Sequence, residues 1–299
     1  QRLAFSSGKN HSFFAVCLVV GGSGSVNQSF TYDHAALPLI NASHIPGYVW
    51  EQSKILSNSF SMHIGSVQPA IAGSLWFGGY DQNRVMGDII TLDGDFREGI
   101  TLWDIGIDAI ENNSSFDFDM QDGLLTKGNS TIERSLKVSI DSCSPYFSLP
   151  KSTCDNIASY LPVTFDEDLG LYLWDVTSTQ FGQILSSASG VYFSFISSSN
   201  TDPVKIQVPF MHLNLTIEAL LVYDPTPYSL CHVSGKNQFV LGRAYFTRRL
   251  HWRANWDPRS AKWLMAEAPG QNIRAVPNVA TIEPTAKTIS QGGNSWEAS

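Results

Sequence analysis

From about Phe60 onward, apolar residues come in short runs separated by glycine and polar turns, and some runs alternate with period two. That punctuation predicts an all-β sandwich or barrel. Ser74–Tyr80 reads as a strand running into the Gly78-Gly79 turn. Ile100–Ile110 alternates apolar and polar positions, with Leu102 out of phase, as a half-buried strand does. Further strands are expected over Gly170–Val176, Val191–Ile196, Val204–Phe210 and Gln238–Leu241. A last hairpin is expected to join Arg249–Asn255 to Ala261–Met265 around Asp257-Pro-Arg-Ser260. The best short helix is Lys151–Tyr160, with Ser152 or Thr153 near its start. Upstream, the apolar run Phe13–Val20 falls well short of the ~20 residues that cross a bilayer. It reads as a buried strand, with the apolar core of a leader peptide behind Arg2 and Lys9 as the alternative. Residues 269–299 are rich in Pro, Thr, Ser, Gly and Asn without periodicity, which predicts a flexible tail.

Composition narrows the class. Apolar residues make up 43% of the 299 positions and charged residues only 15%, which suits a packed core. A net charge of −8 argues against a nucleic-acid partner, which calls for a basic face. Sequons for N-glycosylation begin at Asn10, Asn27, Asn41, Asn112, Asn113, Asn129 and Asn214, and lysine is sparse, so secretion or display at the cell surface is expected. The four cysteines, Cys17, Cys143, Cys154 and Cys231, form no CxxC pair, so no metal site is expected. In an oxidising compartment Cys154 is expected to pair with Cys231.

The most informative stretch is Val138–Pro150, in which a β-type run ends at Asp141, turns through Ser142-Cys143-Ser144, and re-enters an apolar segment closed by proline. It resembles the loop on which pepsin-like aspartic proteases present a catalytic carboxylate. Other pieces are similar in the same order. Phe60–Gly65 followed by Gly73–Asp81 resembles the family's inter-lobe strand and its Gly-Gly-x-Asp turn. Gly87-Asp88-Ile89 and Leu102–Asp108 resemble the next two strands. Phe239–Phe246 resembles the strand that threads beside the catalytic loop. The match runs from about Ser59 to Pro269 and has a fungal flavour.

The resemblance implies a mainly β fold, a pepsin-like lobe of double-psi β architecture with short helices. Residues 1–58 would be a remnant of the N-terminal lobe or a leader, 59–268 the C-terminal lobe, and 269–299 the tail. It implies a catalytic role for Asp141, with Ser142, Ser144 and Gly242 supporting its loop. Gly242 would let the threading backbone pass where a side chain collides. Such enzymes use two carboxylates sharing one proton, one acting as base on a water and the other as acid toward the substrate. No cofactor is implied, and the partner would be a peptide or protein substrate.

Two departures from the pattern matter. Cys143 stands where the family has glycine, and no Asp-Thr-Gly or Asp-Ser-Gly occurs anywhere in the chain. Asp33 and Asp81 do not fit the turn, and Asp104, Asp108, Asp168 and Asp175 read as solvated or hydrogen-bonded carboxylates. No histidine motif accompanies Cys143, so a thiol nucleophile is not expected. The sequence therefore reads as an aspartic endopeptidase homologue, catalytically incomplete as a single chain. The alternatives are a non-catalytic binding or cell-surface protein of the same fold, a chain that has lost its N-terminal lobe, and a homodimer that brings two copies of Asp141 together.

Overall fold

The computed structural model describes residues 49–65, 71–93, 99–109, 115–141, 144, 146–196, 202–218, 222–229, 231–233, 238–246, 252–253, 262–268 and 276–292. Strands dominate, as the punctuated apolar pattern requires. The first are β1 (Phe60–His63), β2 (Ser74–Phe77), β3 (Gly79–Asp81), β4 (Met86–Asp93) and β5 (Ile100–Asp108). β1 and β2 pair antiparallel, with Phe60 opposite Phe77. Between β2 and β3 the chain turns at Gly78, whose φ of +67° suits a residue without Cβ.

The largest sheet is built around β5. Downstream come β6 (Met120–Gln121), β7 (Leu136–Ile140), β8 (Phe147–Leu149), helix α1 (Lys151–Ala158), β9 (Val163–Asp166), β10 (Leu171–Trp174) and helix α2 (Thr179–Ser186). They are followed by β11 (Gly190–Phe195), β12 (Val204–Pro209), β13 (Asn214–Ile217), β14 (Thr226–Ser229), β15 (Cys231–Val233) and β16 (Val240–Leu241). The sheet order is β12-β11-β5-β7-β16-β8-β15, with β6 alongside β5. A second sheet runs β13-β14-β10-β9.

The phase break at Leu102 has a structural cause. Ser194 of β11 faces Asp104, but the next residue, Phe195, faces Leu102, so Trp103 is an extra residue bulged out of the ladder. Buried positions therefore switch from Ile100 and Leu102 to Ile105 and Ile107. Every residue of β11 is buried, because both of its faces are covered. The Phe193 ring meets Phe147 edge-on at 5.0 Å and Tyr245 at 5.3 Å, which fixes the core beside β8.

Helix α1 starts where expected, directly after Pro150, and buries Thr153, Cys154 and Ile157. Cys154 is disulfide-bonded to Cys231 of β15, with α-carbons 5.7 Å apart, as the sequence suggested. Helix α2 is capped by Ser178, whose hydroxyl accepts from the Gln180 amide.

Two expectations need correction. Arg249–Asn255 and Ala261–Met265 do not pair with each other among the described residues. β17 (Trp252–Arg253) pairs with β1, while β18 (Lys262–Glu267) pairs with β4. Each of these strands instead pairs along its backbone with a strand from the start of the fold. The stretch 269–299 is likewise not a featureless tail where it is described. β19 (Val279–Thr281) adds antiparallel to β3, and Ile282 and Ile289 are buried. With Tyr80, Val85, Leu264 and Ala266 they make a small second core. Ser57 Oγ donates to Ile282 O at 2.5 Å, and the Asn278 amide donates to Asp81 Oδ1 at 2.9 Å. Two well-placed isoleucines and a free strand edge suffice to fold a segment whose average composition is polar.

Candidate active site

Asp141 follows directly on β7, and its position is set by β16. β16 lies parallel to β7, with Leu241 opposite Ile140, and antiparallel to β8, with Val240 opposite Ser148. A strand inserted between the two arms of one loop, parallel to one and antiparallel to the other, is the psi arrangement expected from the sequence. The Ser139 amide donates to Phe239 O at 2.9 Å, and the Asp141 amide donates to Leu241 O at 3.1 Å. The backbone ladder thus reaches the aspartate itself. Its side chain is half-buried.

Beyond β16 the chain crosses the outgoing arm of the loop at Gly242. A Cβ built there would overlap the Tyr146 carbonyl oxygen and lie 2.6 Å from that of Ser144. The next amide, Arg243 N, donates to Ser144 O at 2.6 Å. Gly242 is therefore required by close approach. The Ser144 hydroxyl donates to Tyr146 O at 3.4 Å, a long bond within the same arm. Ser142 and Cys143 lie outside the described residues, as do Cys17, Asn10, Asn27, Asn41, Asn112 and Asn113.

An aromatic cluster that the sequence reading missed adjoins this loop. Tyr146 stacks on His232 with ring centroids 5.3 Å apart and planes 23° from parallel, and Tyr228 lies 6.0 Å from Tyr146. Burial pushes the Tyr228 phenol up, and its hydrogen-bonded neighbour Tyr146 adds to the shift. Burial also holds His232 below its usual range. The signal was the position of His232 next to Cys231, since β15 runs parallel to β8 with His232 opposite Ser148.

The other carboxylates have structural surroundings. Asp104 accepts from the Ile105 amide at 2.8 Å and from the Gly123 amide at 2.9 Å. Asp175 accepts from the amide and hydroxyl of Thr177, which hold it below the usual carboxylate range. Burial pushes Asp108 up, with Lys205 opposing. Asp168 is exposed. Among the described residues no group of three or more His, Cys, Asp or Glu side chains is placed to hold a metal ion. None of the described helices is long and apolar enough to cross a membrane.

Two described sequons differ. The Asn129 amide is engaged on both sides, donating to Ser152 Oγ at 2.8 Å and accepting from Thr131 N and Oγ1. Asn214 opens β13, and its Oδ1 is buried without a hydrogen bond.

The threaded loop, its aspartate and the obligatory glycine define an aspartic-protease type of lobe, and the chain belongs to the eukaryotic aspartyl protease family, whose model matches residues 22–257. It is 26% identical over 236 residues to an acid protease of Saccharomycopsis fibuligera, in a match covering 75% of this chain. The match spans 48% of that relative, so the chain accounts for about half its length. A solved aspartic proteinase from Irpex lacteus superposes with a TM-score of 0.49 at 11% identity, covering 79% of this chain and 63% of that one.

Proposed function

We propose that this chain supplies one half of an aspartic endopeptidase site, with Asp141 as one of its two carboxylates. The observation that carries the reading is the psi loop, in which β16 is clasped between β7 and β8 and the Asp141 amide is bonded to Leu241 O. In this chemistry a carboxylate takes a proton from water as the water attacks a peptide carbonyl, and a second, protonated carboxyl stabilises the developing oxyanion. The sequence holds one loop of this kind and no Asp-Thr-Gly or Asp-Ser-Gly. Hydrolysis by the chain alone is then weak or absent, and the substrate class is a peptide or unfolded protein. A second Asp141 from a homodimer, or an N-terminal lobe supplied separately, would complete the site.

The Cys154–Cys231 disulfide and the sequons support an oxidising, secretory setting, in solution or at the cell surface. Cys143 in place of the loop glycine favours a second reading, a peptide-binding lobe without catalysis.

One assay separates the two. The purified chain, at concentrations high enough for two copies to pair, is incubated with denatured protein at acidic pH, with and without pepstatin, alongside an Asp141→Asn variant. Pepstatin-sensitive cleavage lost in the variant upholds the catalytic half-site. Binding of substrate peptide without cleavage, unchanged in the variant, supports the binding lobe instead.

A further inference from the structure

One edge of β13, which ends the sheet β13-β14-β10-β9, has no strand partner among the described residues. Leu215 in this strand is 38% exposed, and Met211 just before it is 37% exposed. An open strand edge flanked by apolar side chains is a template for pairing with another chain, and secreted proteins rarely leave one uncovered. No Lys or Pro lies within Asn214-Leu-Thr-Ile217 to blunt it.

What this strand carries instead is a sequon. Asn214 and Thr216 fall on one face by the period of the strand, and Ile217 faces the core at 6% exposure. Thr216 is exposed. The Asn214 Oδ1 is buried without a hydrogen bond, while the residue as a whole is partly exposed. At Asn129, by contrast, the amide is committed to the turn and to Ser152. Asn214 is the described sequon where a sugar displaces no hydrogen bond of the fold.

We infer that Asn214 carries an N-linked glycan that covers the unpaired edge of β13, keeping the lobe from pairing edge to edge. The donor is a lipid-linked diphospho-oligosaccharide. The Asn214 Nδ2 attacks the sugar C1, the C1–O bond to phosphate breaks, the lipid diphosphate leaves, and the amide proton passes to base. The inference rests on the secretory reading above.

The test uses the full chain secreted from a eukaryotic host. Peptide mapping after N-glycosidase digestion in heavy-oxygen water is expected to show the Asn214 peptide deamidated and labelled. Two variants that remove the sequon differently, Asn214→Gln and Thr216→Ala, are expected to shift from the wild-type sedimentation species to larger ones as concentration rises. An unlabelled Asn214 peptide, in a sample where another sequon is occupied, overturns the inference and leaves secretion standing. No occupied sequon at all overturns both. An occupied Asn214 whose two variants sediment like wild type overturns the shielding role.

Discussion

Gly242 passes the carbonyl group of Tyr146 so closely that a methyl group on its α-carbon would overlap the oxygen. The contact locks the threading strand against the outgoing arm of the Asp141 loop. Gly242→Ala is expected to cost about 3 kcal/mol of stability, the scale of overpacking a site that cannot relax. Gly182 is the control. It sits inside α2 with open space around its α-carbon, so Gly182→Ala is expected to stabilise by roughly 0.5–1 kcal/mol. Urea denaturation of the two variants tests the pair, and equal effects would refute the crowding argument.

The disulfide spans 77 residues of sequence and fastens α1 to β15, the strand beside the outgoing arm of the loop. In the chain-entropy picture a cross-link of this length contributes about 4 kcal/mol. Replacing Cys154 and Cys231 together with alanine should lower the denaturation midpoint accordingly. A loss below about 1 kcal/mol would show that the unfolded chain gains little freedom from the cut.

Acid should weaken the fold through His63. This imidazole is fully buried, and its Nδ1 lies 2.8 Å from Arg84 Nη1, from which it accepts a hydrogen bond when neutral. Burial first, then the Arg84 charge, lower its pKa from 6.5 to about 3. Unfolded, it takes up a proton near 6.5. Between those values the unfolded chain binds more protons, so stability is full above pH 6.5 and falls as pH drops toward 3. The loss amounts to the order of a few kcal/mol. His63→Gln should be less stable at neutral pH yet show a flatter melting temperature between pH 6.5 and 4. A slope identical to wild type would shift the acid sensitivity to other groups.

Ile282 anchors the late segment on β3 and is 1% exposed. Ile282→Ala is expected to cost ~2–4 kcal/mol and to raise binding of a hydrophobic dye, as the face of Tyr80, Val85 and Leu264 opens. An unchanged midpoint would mean that the small second core folds without it.

Much of the architecture was legible because it is written in local pattern. The Ile100–Ile110 alternation placed β5, and the irregularity at Leu102 marked a bulge at Trp103 that only the facing strand reveals. The Lys151–Tyr160 reading placed α1, although its N-cap is Pro150, with no side-chain cap, rather than Ser152 or Thr153. Asp141 and Gly242 were found through the order of small motifs, and their juxtaposition, about a hundred residues apart in sequence, follows from β16 pairing beside β7. The strap through Val279–Thr281 was not legible, because its stabilisation comes from a distant edge rather than from its own composition. The aromatic stack of Tyr146 on His232 was missed for a similar reason, as a parallel pairing of β8 with β15 leaves no short-range signature.

The pairing of β19 with β3 also sets a timetable for the nascent chain. The Asn278 amide meets the Asp81 carboxylate across 197 positions. Synthesised from its front end, the polypeptide must carry β3 without its β19 partner until Val279–Thr281 has left the ribosome. Contacts of such long range are slow to close. Stalled or prematurely terminated translation would therefore leave products with a sticky margin at Gly79–Asp81, suited to capture by a chaperone.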